Sequence, residues 1–212
     1  MSTSSYLSDR INNLSESATL KMTKLGRELA AKGVNVISLS VGEPDFNTPK
    51  HLEDAAKKAL DENWTRYSPV PGYPELRQAI VNKLKTENNL DYDISQIVVS
   101  TGAKQSLSNV ILTLINPGDE VIIPTPYWVS YSEMVVLAEG KSVFINTEID
   151  NNFKITPAQL EAAITPKTKL FMFSSPNNPT GTVYSKDELA ALAEVFEKHP
   201  QVFILSDEIY EH

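Results

Sequence analysis

From residue 97 onward, short apolar runs alternate with stretches of helical spacing, and the connections between them are brief. Ile97–Ser100, Glu120–Ile123, Ser142–Asn146, Leu170–Phe173 and Val202–Leu205 read as strands. Between them, residues 103–115, 128–138, 156–164 and 185–198 read as helices. Thr156-Pro157 opens the third of these, and Ser185-Lys186-Asp187-Glu188 makes a capping box for the fourth. This repetition predicts an α/β fold, a mostly parallel sheet sandwiched by helices on both faces. The last run ends in Asp207 with no helix after it, so more chain is expected to belong to the fold, since an uncovered strand is poorly protected.

Ahead of the alternating part, residues 1–16 are polar and read as an arm. Residues 18–32 carry Leu20, Leu25 and Leu29 on one side, with Gly33 placed as a C-cap. Val36–Val41 reads as a strand and 42–49 as a loop. Helices are expected at 49–62 and 74–88, the second opened by Pro74.

Composition removes several classes of function. The formal net charge of -8 is unlike the basic face of a nucleic-acid binder. There is no cysteine, and the 3 histidines stand far apart, so neither disulfides nor a cysteine or histidine metal centre is expected. No apolar run is long enough for a membrane span, and the first residues lack a secretory pattern; a cytoplasmic protein is the expectation.

Several residues sit at strand ends, where open α/β sheets bind ligands. Thr101-Gly102-Ala103-Lys104 joins a strand to a helix, a place where exposed amides favour an anion; most such glycine turns bind nothing. Trp128, in Pro126-Tyr127-Trp128, reads first as packing. Asn178 lies in Ser174-Ser175-Pro176-Asn177-Asn178-Pro179-Thr180-Gly181, whose plain reading is a turn. Asp207 ends an apolar run and needs a partner, either an ordinary salt bridge, a cap or a cationic ligand. Tyr210 follows three residues on, and Gly42 lies in a turn-rich loop.

Taken in order, Val41-Gly42-Glu43-Pro44-Asp45-Phe46, Pro126-Tyr127-Trp128-Val129-Ser130-Tyr131, the Ser174–Gly181 stretch and Ser206-Asp207-Glu208-Ile209-Tyr210-Glu211 resemble the class I aminotransferases. These are pyridoxal 5'-phosphate (PLP) enzymes, and the bacterial aspartate aminotransferases are the most similar subgroup. The resemblance runs from about Leu14 to His212.

It implies an arm and small-domain segment in residues 1–47 and a PLP-binding large domain in 48–212, incomplete at its C-terminus. Gly102, Ala103 and Lys104 would hold the phosphate, and Trp128 would stack on the pyridine ring. Asn178 and Tyr210 would donate to the phenolic oxygen, and Asp207 would pair with the ring nitrogen. Gly42, with Trp128 and Asn178, would meet the substrate, and Tyr67 would reach the phosphate of a partner subunit in a homodimer. Asp207, Tyr210 and Trp128 would carry the catalytic roles within this chain.

The implied reaction passes an amino group from an L-amino acid, aspartate first, to a 2-oxo acid such as 2-oxoglutarate. Aromatic, prephenate and alanine transaminases are the rivals; Ser15 stands where some prephenate-accepting relatives carry a basic residue, which leans against prephenate. The Schiff-base lysine and the carboxylate-clamping arginine have no matching positions. Arg27, Arg66 and Arg77 do not take that arginine's place. These residues alone are therefore expected to be inactive, either a weak non-covalent PLP binder or an inactive remnant, and only marginally stable.

Overall fold

The structure, a computed structural model, describes residues 6–15, 18–39, 42 and 44–212. Its elements are α1 (Asp9–Asn12), α2 (Ala18–Ala31), α3 (Lys50–Asp61), α4 (Pro74–Asn88), α5 (Ala103–Leu114), β1 (Glu120–Pro124), α6 (Ser130–Leu137), β2 (Lys141–Ile145), α7 (Pro157–Ala163), β3 (Thr168–Ser174), α8 (Lys186–Phe196) and β4 (Phe203–Asp207). Their contacts form two units, one of Met1–Lys21 with Ala103–His212, the other of Met22–Gly102.

An apolar run with no polar face is satisfied only inside a sheet covered on both sides. In the first unit β1 and β3 take that place, in a parallel sheet of order β2-β1-β3-β4. Alternate residues then serve opposite faces. Val121, Ile123, Leu170 and Met172 pack with Leu107 and Ile111 of α5 and Met134 and Val135 of α6. Ile122 and Phe171 pack with Leu160 of α7 and Leu192, Val195 and Phe196 of α8. Each buried isoleucine or leucine contributes roughly 1.5–3 kcal/mol. An exposed pair such as Lys57–Glu53 contributes about 0–1 kcal/mol. The two apolar faces therefore hold this unit, and the expected helix-covered parallel sheet is present.

Local chemistry sets the helix ends. Thr156 and Ser185 each close a capping box, with Gln159 and Glu188. At the end of α2, Gly33 takes a positive φ of 81°, and Val34 N–H bonds back to Leu29 O, the expected glycine cap.

The second unit is built differently. Among the described residues, Ile97 is its one buried apolar side chain. Arg77 ties α4 to the following turn by donating to Ile97 O at 2.9 Å and to Ile94 O. Trp64 meets Tyr73 edge-on with centroids 5.0 Å apart.

Three expectations need correction. Ile97–Ser100 is not a strand: Val99 N–H bonds Pro71 O, and the segment pairs with no ladder among the described residues. Val36–Leu39 likewise forms no strand, and the rest of that expected strand, Ser40 and Val41, lies outside the described residues. An apolar run becomes a strand only when a neighbour supplies ladder partners. Finally, the expected sandwiching by helices on both faces does not extend to the strand at Val202–Leu205: β4 has β3 on one side only, and Phe203 and Ile204 are more than half exposed.

Candidate functional site

The chain runs from β1 to β2 on one side and then crosses to β3 on the other. The order reverses between β1 and β3, and such a reversal opens a crevice at the carboxyl ends of the strands. The parallel register brings three strand ends to one edge, because Ile122 pairs Phe171 and Phe171 pairs Ile204. The segments that follow β1 and β3, and the last residue of β4, carry Trp128, Asn178 and Asp207.

Asp207 pairs in register with Ser174 and is buried at 9% exposure. Its Oδ2 accepts the Tyr131 hydroxyl at 2.7 Å, and its Oδ1 accepts Ile209 N–H at 3.3 Å. A carboxylate has about four acceptor positions, so capacity remains for a further donor. Burial, then the bond to Asp207 and that residue's charge, push the Tyr131 phenol far above its ordinary range. Tyr131 therefore stays a donor at any working pH.

Trp128 is half-buried, edge-on to Tyr131 with centroids 5.7 Å apart and planes at 89°. The Lys104 ammonium lies 4.8 Å from the centroid of its ring. Asn178 Nδ2 donates to the Tyr210 hydroxyl at 3.1 Å. The pair keeps two outgoing protons, one on the amide and one on the phenol. α5 begins at Ala103, so the amides of Ala103 and Lys104 stand at a helix N-terminus without intrahelical acceptors. Gly102 sits at φ 86°, and its N–H is taken by Ser100 O at 2.9 Å.

Gly42 and Tyr67 lie in the second unit together with Gly102. Gly42 is exposed, and Tyr67 projects fully into solvent. Among the described residues, no cluster of histidine and acidic side chains is arranged to hold a metal, and no helix is long and apolar enough to cross a membrane.

Residues 34–212 match the family of class I and II aminotransferases. The chain belongs to that family. An aspartate/prephenate aminotransferase of Cereibacter sphaeroides is 53% identical over 207 residues, which are 98% of this chain and 52% of that protein. Among solved structures, the aspartate aminotransferase of Rhizobium meliloti superposes with a TM-score of 0.94 at 44% identity, over 97% of this chain and 52% of the other. The aspartate aminotransferase of Thermus thermophilus, solved with maleate, gives 0.93 at 44% identity, over 97% and 54%. The chain thus spans about half the length of the relatives it matches. Aminotransferases of this family are PLP-dependent enzymes.

The residues present fit that cofactor. A buried carboxylate with spare acceptor capacity suits a cationic ring nitrogen, a half-exposed indole suits a flat ring, and paired amide and phenol donors suit an anionic oxygen.

Two residues of the candidate site escaped the sequence reading. Tyr131 was quoted within its motif without a role; its place three residues after Trp128, at the start of a helix, is the signal that puts both on one side. In the sequence Asn177 is simply part of the turn. Its amide donates to Pro126 O at 3.1 Å and to Thr180 Oγ1 at 2.9 Å, and its Oδ1 accepts Ser174 Oγ at 3.3 Å. Asn177 thereby clasps the loops after β1 and β3.

Proposed function

We propose that these residues form the front half of a PLP-dependent aminotransferase that moves an amino group between an L-amino acid, aspartate foremost, and a 2-oxo acid, 2-oxoglutarate foremost. The observation that carries the reading is the buried Asp207 carboxylate at the strand ends, bonded to Tyr131, whose ring meets Trp128 edge-on, with the Asn178–Tyr210 pair on the segments that follow β3 and β4. When bound, PLP supplies an electron sink for the charge left on the amino acid's Cα.

Each side chain then has a task. Asp207 holds the proton on the ring nitrogen, and Asn178 and Tyr210 donate to the phenolic oxygen. Trp128 covers one face of the ring and excludes water from it. The amides of Ala103 and Lys104 receive the phosphate. Gly102 is proposed to serve through its positive φ rather than as a donor, since its N–H is already bonded. Gly42 is proposed to give its amide to the substrate carboxylate.

A cytoplasmic homodimer is the proposed setting, with Tyr67 serving the phosphate of the partner's cofactor. The full exposure of Tyr67 and of nearby Val70 supports this, because fully exposed aromatic and apolar side chains so close together mark contact surfaces. The division into residues 1–47 and 48–212 is proposed for the protein at its relatives' length. The names of the relatives carry prephenate beside aspartate, so prephenate is the second proposed amino acceptor, against the lean drawn from Ser15.

The test is an assay for oxaloacetate formed from L-aspartate and 2-oxoglutarate. It is run on these 212 residues and on the same residues within a chain of the relatives' length. We expect transfer from the longer chain and none from the shorter. A longer chain that transfers from neither aspartate nor any rival amino donor contradicts the reading.

A further inference from the structure

We propose that Tyr131 is the positioning residue that aims Asp207 and Trp128 together, an inference that rests on the PLP reading above. Tyr131 is 1% exposed, so it lies behind the crevice and does not reach into it. Its hydroxyl reaches Asp207 at 2.7 Å, and its ring supports Trp128 edge-on at 5.7 Å. The ring is fixed from behind. Tyr127 stacks on it with planes at 10°, and Phe144 stacks on Tyr127 at 13°. The row runs from β2 at the sheet edge inward to the crevice.

A carboxylate 9% exposed rotates away, or draws in water, unless a donor holds it. Ile209 N–H, at 3.3 Å, is the longer of its two bonds, which leaves the phenol as the principal hold. Burial, the bond to Asp207 and that residue's charge push the phenol well above its ordinary range, so it keeps the proton it donates. Turning the ring would shift the acid and the indole in one motion. The two groups proposed to grip the ring nitrogen and the ring face are therefore set by one side chain.

The experiment compares the chain with Tyr131→Phe, which keeps the ring and removes the donor. Binding of PLP is titrated, the nitrogen resonance of ¹⁵N-labelled PLP is recorded in each complex, and both proteins are crystallised without cofactor. We expect about tenfold weaker binding, the loss of one hydrogen bond to a charged group. We also expect a resonance moved toward the unprotonated ring and a carboxylate turned from its present bearing.

Equal affinity, or an unmoved resonance, overturns the proposal. Should the unaltered chain fail to bind PLP, the cofactor reading falls on its own. The cofactor-free structures then decide: an unturned Asp207 in Tyr131→Phe overturns the role of Tyr131, and a turned one upholds it. Should Tyr131→Phe fail to fold, Tyr131→His replaces it, keeping a ring N–H for Asp207. Affinity within about threefold of the original upholds the proposal, and any larger loss overturns it.

Discussion

At the scale of the residue, two buried carboxylates take different donors. Glu120, 6% exposed at the start of β1, accepts from the Thr165 hydroxyl at 2.6 Å and from the Lys141 ammonium at 3.1 Å. Those bonds, Thr165 first, hold its carboxyl below the ordinary value of 4.5, against the opposing effect of burial. A lowered folded value means the ionised group stabilises the fold above the ordinary value, and that contribution is lost as pH falls through the lowered one. Urea unfolding as a function of pH should therefore show an acid loss that shrinks in Glu120→Gln; identical profiles would refute the assignment. Asp207 accepts instead from two uncharged donors, the Tyr131 hydroxyl and Ile209 N–H. Asp207→Asn is expected to weaken PLP binding by about tenfold to a hundredfold, as for a lost charge-assisted bond. An equilibrium titration checks this, and unchanged affinity would remove Asp207 from the ring nitrogen.

Asp207 was legible in the sequence because an acid closing an apolar run has few inexpensive places to go. Its partner was not. The bond to Tyr131 joins residues 76 apart, and only the register of β3 on β4 and the turn into α6 bring them together. Asn178 was legible from its turn chemistry, yet its pairing with Tyr210 required the same sheet edge to be in place.

At the scale of the element, caps and close approaches make separate demands. The α8 capping box joins Ser185 N–H to Glu188 Oε2 at 2.6 Å and Glu188 N–H to Ser185 Oγ at 3.2 Å. Ser185→Ala should cost about 1 kcal/mol, read from the unfolding midpoint. Gly140, between α6 and β2, has no room for a side chain: a Cβ there would stand 2.6 Å from the Ile115 side chain and 3.1 Å from that of Val135. Gly140→Ala should therefore destabilise by roughly 1–3 kcal/mol, and a neutral result would show that Ile115 gives way.

The strands of the central sheet were legible because β1 and β3 are apolar on both faces, a pattern that no other environment satisfies. Ile97–Ser100 carries a similar run and forms no strand, because strand formation depends on a neighbour that the run itself cannot specify. Capping boxes were legible at Ser185 because the chemistry is complete within four residues.

At the scale of the whole molecule, the two units differ in what holds them. The first has an apolar cluster on each face of its sheet, whereas α3 and α4 in the second bury no residue and α3 carries exposed ion pairs instead. Amide hydrogen exchange should be slowest in β1 and β3 and markedly faster in α3 and α4. Equal protection in all four would show that the second unit is held by something other than its own side chains.

A fluorescence titration of the chain with PLP tests the proposal that the strand-end crevice binds this cofactor. Saturable quenching of the Trp128 emission is expected, absent in Trp128→Phe and shifted to higher PLP concentration in Asp207→Asn. Quenching that never saturates, or that survives unchanged in both variants, would contradict it.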